Sequence, residues 1–521
     1  EKNDKQTKKA KADAVKPFDG RIKTVNQYLA ELLACQAVVD EDADEFKKQI
    51  AKAGKLSRER KSQLYLQIGD KKEAQRSMRE VPLDELMAYA IEDADITWQL
   101  RSIFSQLLLD YDLERVFYQV ECPLIPVLAA LEFLGVSVDA GALADYSIEL
   151  SEEIIGLEKE IYNLAGTRFN LDSPKQLGQI LFDELKLEEK PSRTKTGQYK
   201  TDVKVLERLA VNHDIAQRML DFRTRRKLKT TYVDQLPAAI FELTQRVHTT
   251  YDQAVTATGR MQSHSPNLQN IPIRTERGKE IRRAFVPKGD SFRLLSADYS
   301  QIELRIIAEL SQDKALISAF KNGSDIHSET AARLFGVPYD QVDDEMRRRA
   351  KMVNYGIVYG ISPFGLSQRL GIPRREASRI IDQYFNQFPS VLFYIERVIA
   401  FAHEHGYVET MTGRRRYLPD IHSQNATMRN GAERNAVNSP IQGSAADLIK
   451  LAMSGIYQAL AEHDLQTQMI LQVHDELLFD LHRDEEETVI SLVLEKMQLA
   501  MPMSVPIEVE IGIGNNWLEA H

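Results

Sequence analysis

The sequence predicts an α+β protein of several domains, in which a small antiparallel sheet carries the chemistry and helical segments flank it. Three observations predict this. The first is Leu294-Leu295-Ser296-Ala297-Asp298, a short apolar strand that delivers Asp298 at its end, followed by Ile302, Ile306, Ile307 and Leu310 at helical spacing. The second is the stretch from Met469 to Leu481. Apolar residues alternate at 469, 471 and 473 and again at 477, 479 and 481, which makes a β-hairpin whose tight turn holds up His474, Asp475 and Glu476. The third is helical periodicity over long stretches such as Tyr146 to Leu164, in a chain of 521 residues, long enough for two to four domains.

A carboxylate at a strand end and another on a hairpin tip can meet across one sheet, although 177 positions (475 − 298) separate them. Such a pair binds two Mg²⁺ ions, which activate an attacking oxygen and stabilise a leaving one. Taken singly, each acid reads equally well as a turn residue, since Asp is common at strand ends.

Between them lies Arg347 to Gly360. Read as a helix, Arg347, Lys351, Tyr355 and Tyr359 fall at i, i+4, i+8 and i+12 and share one face about 18 Å long. That face is cationic at its N-terminal end and aromatic at its C-terminal end. A nucleoside triphosphate has the same polarity. Arg and Lys would hold the phosphates, the helix N-terminus would add partial positive charge, and the tyrosines would meet sugar and base. A solvated basic turn followed by core aromatics is the plainer alternative, and it does not explain why both halves share a stripe.

In this order the three segments resemble the A, B and C motifs of the bacterial DNA polymerase I family (family A), most closely the large fragment that lacks the 5′ nuclease domain. The likeness runs from about Glu121 to His521 and includes Gln253 to Arg260, Asn267 to Pro272, Asp325-Ile326-His327, Arg434 to Gln442 and Asn516-Trp517. It implies a right-hand polymerase with an antiparallel palm sheet and helical fingers and thumb. The expected organisation is a charged tail at 1–17, an exonuclease-like remnant at 18–115, the thumb at 116–250, the first palm part at 251–312, the fingers at 313–434 and the second palm part at 435–521.

The resemblance also implies roles. Asp298 and Asp475 would hold two Mg²⁺ ions, with Mn²⁺ as a substitute, and the Tyr299 carbonyl would complete one metal shell. Glu476 would support the primer end or a metal-bound water. Lys351 and Arg347 would bind the triphosphate, Lys351 could protonate the leaving group, and His327 matches a further phosphate contact. Glu303, packed against Tyr359, would fill the space that a ribose 2′-hydroxyl needs. Tyr355 would face the incoming sugar. Arg260, Arg434, Asn438 and Gln442 match positions that read the minor groove or hold the template, and His474 on the hairpin tip is grouped with these DNA contacts. The partners implied are primer–template DNA and dNTPs, with the protein acting as a monomer.

Net charge is −10, so DNA affinity must be local. From Arg218 to Lys229 there are six basic residues and one acid, and Lys190 to Lys204 adds a polar loop rich in Lys, Ser and Thr. Both fall in the expected thumb, with Lys195, Arg226 and Lys229 as the phosphate contacts. A charge run on a solvated face is the alternative. Cys35 and Cys122 have no metal-type spacing, so neither zinc nor a disulfide framework is expected. No apolar run approaches a membrane span, because the stretch near Leu124 to Val136 is broken by Pro126 and Glu132. The first residues carry no apolar signal core and no Met, which suits a fragment or processed product of the bacterial cytoplasm, at the nucleoid, or of an organelle after removal of a transit peptide.

The first 115 residues depart from the family. Tyr89 and Asp93, four apart, match the last exonuclease motif. No apolar strand ends in Asp-x-Glu; Asp40-Glu41-Asp42 lies in a solvated acidic run, and no Asn–Asp motif follows Asn26. One carboxylate cannot hold two metals, so proofreading should be absent. Two other readings remain open. A non-catalytic DNA scaffold would need neither paired acid. A single-subunit RNA polymerase would share the palm chemistry, whereas Glu303 with Tyr359 favours deoxyribonucleotides.

Overall fold

The computed structural model describes residues 81–521, apart from residue 274; Asn26 and Asp40-Glu41-Asp42 lie outside the described residues. The chain divides into two compact units. Among the described residues, one comprises 81–114, Glu396–Glu409 and Arg415–Val437; the other comprises Arg115–Ile395, Thr410–Arg414 and Asn438–His521. The expected fingers stretch is therefore shared between the two units.

The larger unit is built on a four-stranded antiparallel sheet of β1 (Phe292–Tyr299), β2 (Gln468–Val473), β3 (Glu476–His482) and β4 (Val509–Gly514), in the order β2-β3-β1-β4. β2 and β3 form the expected hairpin, but its turn holds only His474 and Asp475. Glu476 already belongs to β3, because it pairs with Val473 on one side and Asp298 on the other. The sequence pattern also understated the burial of this hairpin. Leu477, Phe479 and Leu481 are buried, and so are Glu476, Leu478 and Asp480 between them. Polar partners make that second face tolerable: Asp480 accepts from Arg246 (2.7 Å) and from the Lys288 backbone N–H (3.0 Å). β4 carries glycine at alternate positions. A Cβ on Gly512 would overlap the Ala520 carbonyl, and one on Gly514 would overlap Glu519, so glycine here lets the C-terminal helix lie directly on the sheet.

The helices used below are α1 (Cys122–Leu134), α2 (Ala140–Ala165), α3 (Asp214–Leu228), α4 (Glu276–Arg283), α5 (Ile302–Ser311), α6 (Ile326–Phe335), α7 (Asp344–Val358), α8 (Ala426–Glu462) and α9 (Trp517–Ala520). α2 and α3 pack around a core that includes Ile161, Leu177, Leu206, Met219 and Phe222. The helical run Val116–Leu134, 19 residues long, is apolar enough by length and composition to cross a membrane, which corrects the expectation that Pro126 and Glu132 break it. Here its Val116, Val120, Leu124, Val127, Leu128 and Leu131 side chains are buried in the protein, and Glu132 accepts from the Tyr251 N–H at 2.7 Å. α5 is buried almost all round, Glu303 and Arg305 included, so Glu303 is not a surface residue.

In the smaller unit the strands Tyr407–Glu409 and Arg415–Tyr417 form a hairpin, and Val398, Ala402, Val408, Leu418, Ile421, Ala432 and Ala436 form a core. The helix Leu83–Asp110 carries Tyr89 and Asp93 one turn apart and exposed, with the Tyr89 hydroxyl bonded to Asp93.

Candidate nucleotidyl-transfer site

The register of the sheet brings the two distant acids together. Asp298 is opposite Glu476 in the β1–β3 ladder, and the next backbone N–H, that of Tyr299, donates to the Asp475 carbonyl at 3.2 Å. Each acid is flanked by a non-glycine residue in the left-handed region. His474 has φ 55°, and Gln301, with φ 54° and ψ 36°, turns the chain from β1 into α5.

Both acids open into one cleft of about 450 Å³, lined also by Tyr299, Glu303, His327, Arg347, Lys351, Tyr355, His474 and Glu476. Arg347, Lys351 and Tyr355 of the predicted stripe thus line one cleft with both acids. Burial, then the carboxylates of Glu476 and Asp475, push Asp298 up to about 7, against the opposing pull of His521. Burial also raises Asp475, against Arg260. The donor set is oxygen-only, two carboxylates and backbone carbonyls, which suits a hard divalent cation. The Tyr299 phenol is committed elsewhere, donating to the Met497 carbonyl at 2.8 Å, so only its backbone can serve the cleft. Among the described residues no three His, Cys, Asp or Glu side chains converge for a metal. Water and substrate oxygens would have to complete the shell.

Three expectations need correction. The first concerns the N-terminus of α7, which offers no free positive end to phosphates. Asp343 caps it, accepting from the Met346 N–H at 2.7 Å, and Asp344 and Glu345 follow. The second concerns Tyr359, the C-cap of α7: its N–H still donates to the Tyr355 carbonyl at 3.0 Å, one turn on from Tyr355, but its ring is not among those lining the cleft. Its hydroxyl instead donates to Glu303 Oε2 (2.6 Å), while Arg260 donates to Glu303 Oε1 (2.7 Å) and Gln442 bonds the Tyr359 hydroxyl. Burial raises the Glu303 carboxyl, and the Tyr359 and Arg260 bonds oppose that rise. The third concerns the basic run at 218–229, most of which is internally paired. Arg218 meets Glu160, Arg225 meets Glu153, Arg226 meets Asp172 (2.5 Å), and Lys229 meets Asp234 (2.9 Å) and Ser147 (2.5 Å). Lys227 and Lys195 are exposed.

Other predicted residues fall as follows. Arg347 docks on Asp325 (2.7 Å), the N-cap of α6. Burial opposes ionisation of Asp325, but Arg347, Ser328 and the His327 N–H outweigh it and hold the carboxyl down at about 2. His327 is buried, which lowers its pKa to about 4; the Asn354 amide donates to Nδ1 (3.1 Å), leaving the ring proton on Nε2. Asn438 is half-buried on α8, whereas Arg434 belongs to the other unit.

Sequence reasoning missed the support beneath the acids. Glu476 Oε1 accepts from Ser296 Oγ and Trp517 Nε1, both at 2.7 Å, and Oε2 lies 3.4 Å from Arg282, whose guanidinium stacks on Trp517 at 3.9 Å. Glu510, paired with Asp298, and His521, 3.4 Å from Glu476, also line the cleft. The alternation in Val509 to Gly514 would have flagged β4. Nothing local marks Arg282 or His521.

Known proteins resemble this chain over most of its length. The family model for DNA polymerase family A matches residues 140–519. The chain is 48% identical over 457 residues to DNA polymerase I of Pseudomonas aeruginosa, covering 87% of this chain and 50% of that protein. It is 48% identical over 405 residues to the thermostable DNA polymerase I of Thermus aquaticus, covering 78% and 48%. The POL domain of Pol1 from M. smegmatis, solved in complex with DNA primer-template and dNTP, superposes with a TM-score of 0.76 at 45% identity, over 80% of this chain and 73% of that one. The chain spans about half the length of the curated relatives it matches. The matched family model covers well over half of the sequence, its relatives approach one-half identity, and the fold is shared, so the chain belongs to DNA polymerase family A.

Proposed function

We propose that the chain extends a primer 3′-hydroxyl with dNTPs under the direction of a DNA template, in DNA repair and replication. One observation carries the reading: a carboxylate on a strand and another on a hairpin turn share a cleft with the cationic and aromatic face of one helix. Bound at Asp298, Asp475 and the Tyr299 carbonyl, two divalent cations, Mg²⁺ with Mn²⁺ as a substitute, would supply Lewis acidity to the attacking hydroxyl and the leaving pyrophosphate.

The chain's own residues do the rest. Arg347 and Lys351 bind the triphosphate, Arg347 exchanging its Asp325 partner for phosphate oxygens. Neutral His327 donates from Nε2 to the same group. Lys351, exposed in the cleft, protonates the departing pyrophosphate. Tyr355 faces the sugar, and Glu303, held by Arg260 and Tyr359, occupies the 2′ position. Glu476 keeps Arg282 and Trp517 in place beneath the acids and reaches the primer end only indirectly. Arg260, Gln442, Asn438 and His474 meet the primer–template near the new pair. Lys195, Arg226 and Lys229 grip phosphates, the last two by exchanging acidic partners. The protein works as a monomer in the bacterial cytoplasm, without proofreading; the bacterial sources of its relatives support that placement.

An RNA-polymerase-like reading is disfavoured by the Glu303–Tyr359 contact. The deciding assay is extension of a labelled primer–template with Mg²⁺ and either dNTPs or rNTPs. Extension with dNTPs alone is expected. Preferential use of rNTPs would overturn the substrate, and no extension with either would leave a DNA-binding scaffold.

A further inference from the structure

Away from the cleft, four charged side chains form a closed cluster that the reaction above does not use. Glu121 precedes α1, Arg414 ends the turn 410–414, and Asp447 and Lys450 lie on α8. The Asp447 and Lys450 side chains are fully buried. Arg414 donates to Glu121 and, through Nε, to Asp447 Oδ1 at 2.8 Å. Lys450 Nζ donates to Glu121 Oε1 at 2.7 Å, and the Thr410 and Thr412 hydroxyls donate to Asp447 Oδ2 at 2.8 and 2.5 Å. Two positive charges meet two negative ones. Burying four charges is costly, and apolar residues of the same volume would join these elements at least as well. Stability alone does not explain the cluster.

Its contacts point to another role. Gln253 Nε2 donates to Glu121 Oε2 (2.7 Å) and to the Glu121 carbonyl (3.0 Å). Six residues on, Gly259 has φ +80° and lies against Arg414, where a Cβ would come within 2.8 Å of Nε. The Thr258 carbonyl abuts Gly443 of α8, 3.2 Å from where a Cβ would be. The segment 253–259 is therefore held at both ends by the cluster and its helix. The next residue is Arg260, which donates to Glu303, and Glu303 also accepts from Tyr359.

We propose that Glu121, Arg414, Asp447 and Lys450 are positioning residues: they fix the segment ending in Arg260, and through Arg260 they hold the Glu303 carboxylate where it separates deoxyribonucleotides from ribonucleotides. The proposal rests on the reading of Glu303 as the sugar-excluding group. A cluster of fixed charges suits this task because it resists sliding, whereas apolar contacts tolerate small shifts.

The test is the ratio of kcat/KM for dCTP over CTP in primer extension by the full chain. A ratio cancels the fraction of enzyme that is folded, so a merely structural defect leaves it unchanged. Arg414→Met should lower the ratio at least tenfold, and Arg414→Lys should recover part of the loss. Gly259→Ala keeps all four charges but wedges the segment off Arg414, and it should lower the ratio as well. In an Arg260→Ala background, Arg414→Met should change the ratio less than twofold, since nothing is left to position. Glu303→Ala tests the underlying reading and should lower the ratio most. If Glu303→Ala lowers it while Arg414→Met and Gly259→Ala do not, the positioning role is overturned and the gate stands. If Glu303→Ala has no effect, the gate reading falls and the proposal with it. Should Arg414→Met fail to fold, Gly259→Ala decides by the same ratio.

Discussion

Glu476→Gln removes one buried negative charge while preserving the shape of the side chain. In the native site Oε1 takes the Ser296 and Trp517 donors at 2.7 Å each, and Oε2 faces Arg282 at 3.4 Å. A glutamine carbonyl can keep the first two donors, and that turns its amide NH₂ toward Arg282, donor against donor. Arg282, only 3% exposed, is left without its partner. Breaking a buried pair typically costs about 3–5 kcal/mol. The 3.4 Å separation and the nearby Asp298 charge place this case at the low end, about 3 kcal/mol. The readout is built in. Trp98 and Trp517 are the only tryptophans, so in a Trp98→Phe background fluorescence reports the unfolding of this site. The urea midpoint should fall by roughly 1 M. A pH arm checks the sign. Burial raises the Glu476 carboxyl, but His521, Arg282, Ser296 and Trp517 together hold it below its ordinary value. Its stabilisation is therefore present above the unfolded pKa, about 4.3, and is lost as pH falls through the lower folded value. The gap between wild type and variant should close in acid. A midpoint shift of less than about 0.3 M, or a gap that is constant down to pH 3, would refute the argument that this carboxylate is held by its protein partners.

Other outcomes follow from the same site. Asp298→Ala and Asp475→Ala should each abolish primer extension while leaving duplex binding largely intact, because grip comes from phosphate contacts elsewhere; extension within tenfold of wild type in either would remove the two-cation assignment. Tyr355→Phe should restore discrimination against dideoxynucleotides by about 5- to 150-fold, since the phenol would otherwise replace the missing 3′-hydroxyl; equal dTTP/ddTTP ratios in the two forms would mean that Tyr355 does not meet the sugar. A labelled single strand in Mg²⁺ should not shorten from its 3′ end; stepwise shortening that is absent from a mock preparation would reveal a second metal site.

The sequence revealed what local patterns can carry. Asp298 and Asp475 were legible because a strand end and a hairpin are short-range motifs. Arg347, Lys351 and Tyr355 were legible because a helical period fixes a shared face. The period reaches Tyr359, the C-cap of α7, but did not show that its hydroxyl is taken by Glu303, and the helix end assigned to phosphates proved to be capped by Asp343. The support beneath the acids was hidden for a different reason. Arg282 meets Glu476 across 194 positions and Trp517 meets it across 41, and only the register of β1, β3 and β4 brings them together. Pairing of the basic run at 218–229 with Asp172, Glu153 and Asp234 is likewise a matter of helix packing, on which a count of charges along the chain is silent. Alternation also cannot report a strand buried on both faces when one face carries polar residues, as β3 does with Glu476 and Asp480.

The two left-handed residues near the acids, Gln301 and His474, bear on how this protein can be evolved. Each stores about 1–2 kcal/mol that glycine would release, so a search for heat tolerance would find both positions early. The released freedom would reach Asp298 and Asp475 directly. Variants selected for melting temperature at 301 or 474 should therefore lose turnover, making these two backbone angles the points where durability and speed are exchanged. A glycine at either position that raised both would show that the strain is idle.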